Sequence, residues 1–90
     1  MIDKDLLNNL SSKEVAKSCY GLVELLQDHK PETQAAASAV LFLTVCRVLK
    51  VEPTEVYTVV SKMLADTIHG ENPDFRALRL YTQHEIGAGR

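Results

Sequence analysis

The chain has 90 residues, with ten basic and twelve acidic side chains and a formal net charge of −2. This length suits a single domain, and the small net charge provides no broad field that would attract nucleic acid or an anionic membrane. The content of 46% apolar and 24% charged residues is typical of a folded globular protein and argues against disorder. We expect one domain over residues 1–86, followed by a flexible tail at residues 87–90.

The beginning of the chain predicts two amphipathic helical segments. Residues 2–10 have the composition of one short helical turn, anchored by its three leucines. Ser11 and Glu14 then have the spacing of a capping box, in which the serine side chain accepts the glutamate N–H. A helix is predicted from there to about Lys30. Its apolar face consists of Val15, Cys19, Leu22, Val23 and Leu26.

The segment 31–49 is the most apolar part of the chain. Pro31 and Glu32 suit the first turn of a helix, and apolar residues then occur on all sides of it. Such a helix is normally buried on several sides, so we expect it at the centre of a bundle, with Leu41 in the core. Three short neighbours cannot cover all of its apolar surface. We therefore expect a homodimer or higher oligomer, in which a second copy supplies the missing cover.

Two further helices complete the predicted fold. Pro53 can begin the next helix, whose apolar periodicity continues to Ile68. Asn72 as N-cap and Pro73 at the first helical position begin the last helix. Its inner side consists of Phe75, Leu78, Thr82 and Ile86. The expected architecture is an all-α bundle of four main helices around the apolar helix 31–49.

The cysteines and the longest apolar run indicate in which cellular compartment the protein is expected. Cys19 and Cys46 match neither a CxxC redox motif nor a zinc ligand set, so we interpret them as small core residues of a reducing compartment. A disulfide between their helices is the alternative. The apolar run 35–46 is shorter than the roughly 20 residues of a membrane span, and the first residues do not resemble a signal peptide. We expect a cytoplasmic protein that does not contact membranes.

The three histidines, a residue type common in catalytic sites, are explained by their positions at the ends of predicted helices. His29, His69 and His84 fall near the C-termini of three predicted helices, where a histidine interacts favourably with the last carbonyls. No spacing of histidines, cysteines or carboxylates matches a metal site, and no glycine-rich loop precedes a helix. We therefore expect no enzyme activity, no cofactor and no metal.

The segment 46–59 reads Cys-Arg-Val-Leu-Lys-Val-Glu-Pro-Thr-Glu-Val-Tyr-Thr-Val and resembles the helix-turn-helix of small repressors. Lys50 stands at the turn, where such motifs usually carry glycine. The resemblance implies that the second helix faces a DNA major groove. The DNA-facing residues would be Thr54, Glu55, Tyr57, Thr58, Ser61 and Lys62. An ordinary helix–proline–helix corner is the alternative, because this set offers few donors for phosphates.

Arg76, Arg79 and Gln83 share one side of the last helix and form a second candidate site. Arginine guanidinium groups suit carboxylates and phosphates, so these residues are candidates for binding an acidic partner. A solvated polar face is the alternative. Taken together, these patterns favour a non-enzymatic protein–protein interaction module, an adaptor or inhibitor that docks on a larger macromolecule. A DNA-binding regulator using residues 46–62 and a small-ligand site at an oligomer interface are the alternatives.

Overall fold

The computed structural model describes residues 2–65 and 70–87. All regular structure in these ranges is helical, which confirms the all-α prediction. The helices are α1 (Lys4–Leu7), α2 (Ser12–Leu26), α3 (Pro31–Val48), α4 (Pro53–Leu64) and α5 (Pro73–Thr82), and α5 continues as a π-helical turn over Gln83–Gly87. The predicted helical periodicity at residues 66–68, His69 and residues 88–90 of the predicted tail 87–90 lie outside the described residues, whereas Gly87 is the last residue of the π-helical turn.

Local chemistry sets the helix starts, as the sequence predicts. The Ser11 hydroxyl accepts the N–H of Glu14 at 3.3 Å at the start of α2. The Asn72 side chain accepts the N–H of Asp74 at 2.8 Å at the start of α5. A proline occupies the first turn of α3, α4 and α5. Backbone N–H groups of the first turn make no intrahelical hydrogen bond, so proline, which has no N–H, costs nothing there.

The end of α2 differs from the prediction, because the helix stops at Leu26 rather than near Lys30. A residue before proline is disfavoured in the helical region, and Lys30 is accordingly extended, with ψ 152°. The side-chain amide of Gln34 donates to the Leu26 carbonyl at 2.8 Å and so satisfies an acceptor at the helix end. Gln34 is itself buried, so this bond holds the start of α3 against the end of α2.

The principal packing joins α2 to α5, which are not consecutive in the chain. Ser12 donates to Asp74 at 3.0 Å where both helices begin, and Gln27 donates to Glu85 where both end. These two bonds connect equivalent ends, so α2 and α5 run parallel. The short connections of the chain, which favour antiparallel consecutive helices, do not reveal this pairing.

The core of the described chain is small and centred on the α2–α5 pair. Its buried apolar residues are Leu7, Ala16, Val23, Cys46, Val51 and Phe75. The predicted face of α2 is wrong at Leu22, which is 46% exposed, whereas Ala16 takes its place inside. Only one of the three predicted leucine anchors near the N-terminus is buried, because Leu6 and Leu10 are exposed.

The apolar helix α3 is the least covered of the main helices. Gln34 and Cys46 are its buried residues, and Leu41 is 48% exposed. The prediction that Leu41 is a core residue of the single chain is therefore wrong. The other helices contact α3 along one side only, and the radius of gyration is 13.9 Å where about 12 Å is expected for 90 residues. The molecule is flattened, with extents of 40 × 34 × 18 Å.

Candidate functional site

The candidate site is the side of α3 that faces away from the other described helices, which we call the outer face of α3. Its residues are Thr33, Ala36, Ala37, Val40, Leu43, Thr44, Arg47 and Val48. They recur at spacings of three and four and so share one side of the helix. Two shallow depressions along this side are lined by α3 residues alone. Leu43 and Arg47 also line a depression with the α3–α4 turn and the start of α4, so α4 borders the outer face near its C-terminal end. Over the rest of its length no other element of the described chain covers this face.

The apolar side chains of the outer face are open to solvent. Val40 is 62% exposed, Leu43 52% and Val48 72%. The whole chain exposes 6971 Å², whereas a folded monomer of 10.0 kDa exposes about 5,200 Å². The excess of about 1,700 Å² indicates a surface that a small core has left uncovered. Contiguous exposed apolar surface of this kind marks an interaction site in a folded protein.

Glu32 and Arg47 are the charged residues of α3, and they stand at its opposite ends. Neither side chain has an ion pair or hydrogen bond within residues 2–65 and 70–87. Glu55 of α4 pairs with Lys4 of α1 at 3.4 Å and not with Arg47. Two charges of opposite sign therefore frame the apolar outer face.

The turn between α3 and α4 is tight and closed by backbone hydrogen bonds. Lys50 adopts a left-handed conformation with φ 58°. Its N–H donates to the Arg47 carbonyl at 3.2 Å, and the Val51 N–H donates to the Cys46 carbonyl at 2.9 Å. These bonds define a Schellman motif, with the buried Val51 and Cys46 as its apolar contact. The sharp turn thus forms with lysine at the position that usually carries glycine.

The residues proposed to face DNA lie on one outward side of α4. Thr54, Tyr57, Thr58 and Lys62 are exposed, and Ser61 is half-buried between them. Tyr57 is 68% exposed. Glu55 pairs with Lys4 of α1 at 3.4 Å and lines one depression together with Thr58 and Lys62. The structure therefore brings all six candidates onto one outward surface, with Lys62 as their one cationic side chain.

Arg76, Arg79 and Gln83 are exposed along α5 and its π-helical continuation. Of the three, Arg79 binds a carboxylate of the chain itself. The Arg79 guanidinium holds Glu71 through two nitrogens, with Nη2–Oε1 at 2.9 Å and Nε–Oε2 at 3.0 Å. This hydrogen bonding lowers the pKa of Glu71, and the charge of Arg76 lowers it further. Arg79 also donates to Gln83 at 3.3 Å. In the described chain the Arg79 guanidinium is therefore already paired with a carboxylate of the protein itself.

A ring pair between α2 and α5 has no counterpart in the sequence-based predictions. Tyr20 and Tyr81 make an edge-to-face contact with centroids 4.9 Å apart, and the Tyr81 hydroxyl donates to Glu24 at 3.2 Å. Burial raises the pKa of Tyr81, and the negative charge of Glu24 adds to this effect. The spacing of four between Tyr20 and Glu24 was the available signal, because it places both on one side of α2.

Both cysteines are free thiols. Cys46 is buried, Cys19 is half-buried, and burial raises the pKa of the Cys19 thiol. Among the residues that the structure describes, no group of three or more histidine, cysteine or acidic side chains is placed to hold a metal ion. Within the same ranges, none of the helices combines the length and the apolar content that a membrane crossing requires.

Comparison of the chain with protein-family models, with curated proteins and with solved structures finds no match. The function proposed below is therefore based on the geometry and chemistry of these surfaces.

Proposed function

We propose that this protein is a non-enzymatic protein–protein interaction module, a small adaptor or inhibitor that docks on a larger macromolecule and works as a homo-oligomer. The observation that supports this proposal is the uncovered outer face of α3. Val40, Leu43 and Val48 expose more than half of their surface on one side of a helix, and of the three Leu43 alone borders the start of α4 in the described chain. Burying such apolar area is the main favourable contribution to protein association.

The surroundings of the outer face suit an interface. Protein interfaces combine an apolar centre with a polar and charged rim. On α3 the apolar side chains lie centrally, while Glu32 and Arg47 mark the two ends. The remaining surface of the molecule is mixed in charge, and the Glu71–Arg79 pair is already neutralised internally. A partner that covers α3 would therefore leave the polar side of α5 free for contacts with a larger macromolecule.

The test is affinity capture from the native cell with tagged wild type and with tagged Val40→Glu, combined with metabolite profiling of the purified protein. Val40 is 62% exposed, so the new carboxylate is compatible with the fold of the single chain. Leu25→Glu is the matched control, since Leu25 is a 75% exposed apolar residue of a different helix, α2. We expect a partner other than the chain itself, in near-stoichiometric amount, that wild type and Leu25→Glu retain and Val40→Glu loses.

Two results would contradict the proposal. A bound small molecule without any protein partner would favour the ligand-binding alternative at an oligomer interface. Equal recovery of the same proteins by wild type and Val40→Glu would show that the outer face of α3 does not bind them.

A second candidate function, DNA binding by residues 46–62, is favoured by one specific observation. The α3–α4 turn is closed around a left-handed Lys50, and the polar side of α4 with Tyr57 and Lys62 is exposed. In a dimeric DNA-binding protein of this kind, the two exposed helices would lie about 34 Å apart. The net charge of −2 and the single lysine of that surface weigh against strong phosphate binding.

Gel retardation on mixed genomic fragments at low salt tests this second candidate. If it is right, binding weakens steeply with added salt, because neutralised phosphates release counterions. Lys62→Ala would then reduce affinity for all sequences, whereas Tyr57→Ala would also change sequence preference. An absence of retardation at low salt would exclude it.

A further inference from the structure

We propose that the outer face of α3 binds the same face of a second copy of this chain, with the two helices antiparallel. In this arrangement Glu32 of each copy lies beside Arg47 of the other. The inference rests on the proposed function, because it names the surface through which the homo-oligomer forms, and docking on the larger macromolecule then depends on that oligomer.

The outer face of α3 offers a long line of contact to a second copy. A standard protein interface buries about 800 Å² on each partner. The chain exposes 6971 Å², about 1,700 Å² more than expected for its mass. This excess is spread over the whole molecule, and the outer face of α3 contributes part of it. The helix α3 has 18 residues, so its contact line is about 27 Å long.

The two charges of α3 select the antiparallel arrangement. Glu32 and Arg47 are separated by about 22 Å along the helix, and the midpoint between them lies at Ala39 and Val40. A two-fold axis at this midpoint brings each glutamate next to the arginine of the other copy. A parallel pair in register would instead place glutamate beside glutamate and arginine beside arginine. Like charges in contact oppose association, so the charge order favours the antiparallel pair.

The sizes of the side chains lead to the same arrangement. The first half of the outer face is narrow, with Ala36 and Ala37, and the second half is wider, with Leu43 and Val48. An antiparallel pair places the narrow half of one helix against the wide half of the other. This keeps the distance between the helix axes even along the contact, as close packing requires. A parallel pair would leave a gap at one end and crowd the other.

The first experiment measures the association of the full chain by sedimentation equilibrium at several concentrations, with circular dichroism as a check on folding. Wild type should be dimeric at micromolar concentration. Val40→Glu places two carboxylates at the two-fold axis and should raise the dissociation constant by at least about 100-fold. Leu25→Glu introduces the same charge at an equally exposed apolar position of α2 and should leave the constant unchanged.

The second experiment tests which charges meet. Glu32→Arg and Arg47→Glu should each weaken the dimer about tenfold, because each variant turns two attractive pairs into repulsive ones. The double variant carrying both changes should return to within about threefold of wild type, since the pairs are restored with reversed sign. Lys17→Glu on the exposed side of α2 makes the same change of charge as Arg47→Glu and should have no such effect.

The outcomes separate this inference from the proposed function. A wild-type monomer at about 100 µM overturns the dimer, and so does a dimer that Val40→Glu leaves intact. A dimer that the two single reversals do not weaken, or that the double variant does not rescue, overturns the antiparallel arrangement. The capture experiment tests the interaction module itself. A different protein that wild type binds and Val40→Glu loses supports the module, even when the wild type is monomeric. Recovery of the chain's own copies alone supports the dimer and contradicts the adaptor role.

Discussion

Replacing Lys50 by glycine should stabilise the protein, and the structure sets the size of the gain. Lys50 holds φ at 58° in the Schellman motif that ends α3, and no ion pair or hydrogen bond of its side chain is present in the described chain. A residue with a Cβ atom in this conformation costs about 1–2 kcal/mol. Glycine removes that cost but adds about 0.5–1 kcal/mol of conformational freedom to the unfolded chain. The net gain in the free energy of unfolding should be about 0.5–1 kcal/mol, which corresponds to a rise in Tm of about 2–8 °C.

The measurement is urea and thermal unfolding followed by circular dichroism at one fixed protein concentration, since association makes stability depend on concentration. Lys50→Ala is the matched control, because it removes the charged side chain and keeps the Cβ atom. It should not reproduce the gain, and Lys50→Asn should fall between the two, since asparagine tolerates the left-handed region better than most residues. A Lys50→Gly variant no more stable than Lys50→Ala would refute the reasoning from backbone strain.

Three further predictions concern the α2–α5 pair. Phe75 is 5% exposed, so Phe75→Ala should cost about 3–5 kcal/mol in urea unfolding, and a loss below 1 kcal/mol would contradict its place in the core. Asn72→Ala removes the cap of α5 and the bond to the Ser12 hydroxyl and should cost about 1 kcal/mol, whereas Asn72→Asp keeps the cap acceptor, loses the donor to Ser12 and should recover only part of that loss. Stability should fall as the pH rises above about 9, because the folded state raises the pKa of Cys19 and Tyr81 and so retains protons that the unfolded chain releases. Tyr81→Phe should flatten the upper part of this decline, and an unchanged profile would contradict it.

The sequence predicts the helix boundaries where a local interaction determines them. The serine cap of α2, the asparagine cap of α5 and the proline at the start of three helices involve residues within four positions of each other. The end of α2 at Leu26 is not predicted, and there the Leu26 carbonyl accepts both the His29 N–H and the side-chain amide of Gln34, eight residues away. The left-handed Lys50 was missed because lysine rarely adopts this conformation, and the buried Val51 beside Cys46 stabilises it here.

The pairing of α2 with α5 could not be obtained from the sequence by the same reasoning. Periodicity identifies which side of a helix is apolar, but it does not name the helix that covers it. Ser12 and Asp74 are 62 positions apart, and the bond between them has no local signal. The arginine site on α5 was predicted from spacing, but its internal carboxylate, Glu71, belongs to the preceding loop and enters the site only through the fold.

Helix lengths explain why the apolar pattern of α3 leads to an exposed face rather than an enclosed helix. α3 has 18 residues and is about 27 Å long, whereas α4 has 12 and is about 18 Å long. The tight turn at Lys50 joins α4 to the C-terminal end of α3, and α2 and α5 use their apolar sides on each other. Within residues 2–65 and 70–87 no helix of matching length therefore remains for the outer face of α3. α3 of a second copy has the matching length. In an antiparallel pair it also places its Arg47 beside Glu32 of the first copy.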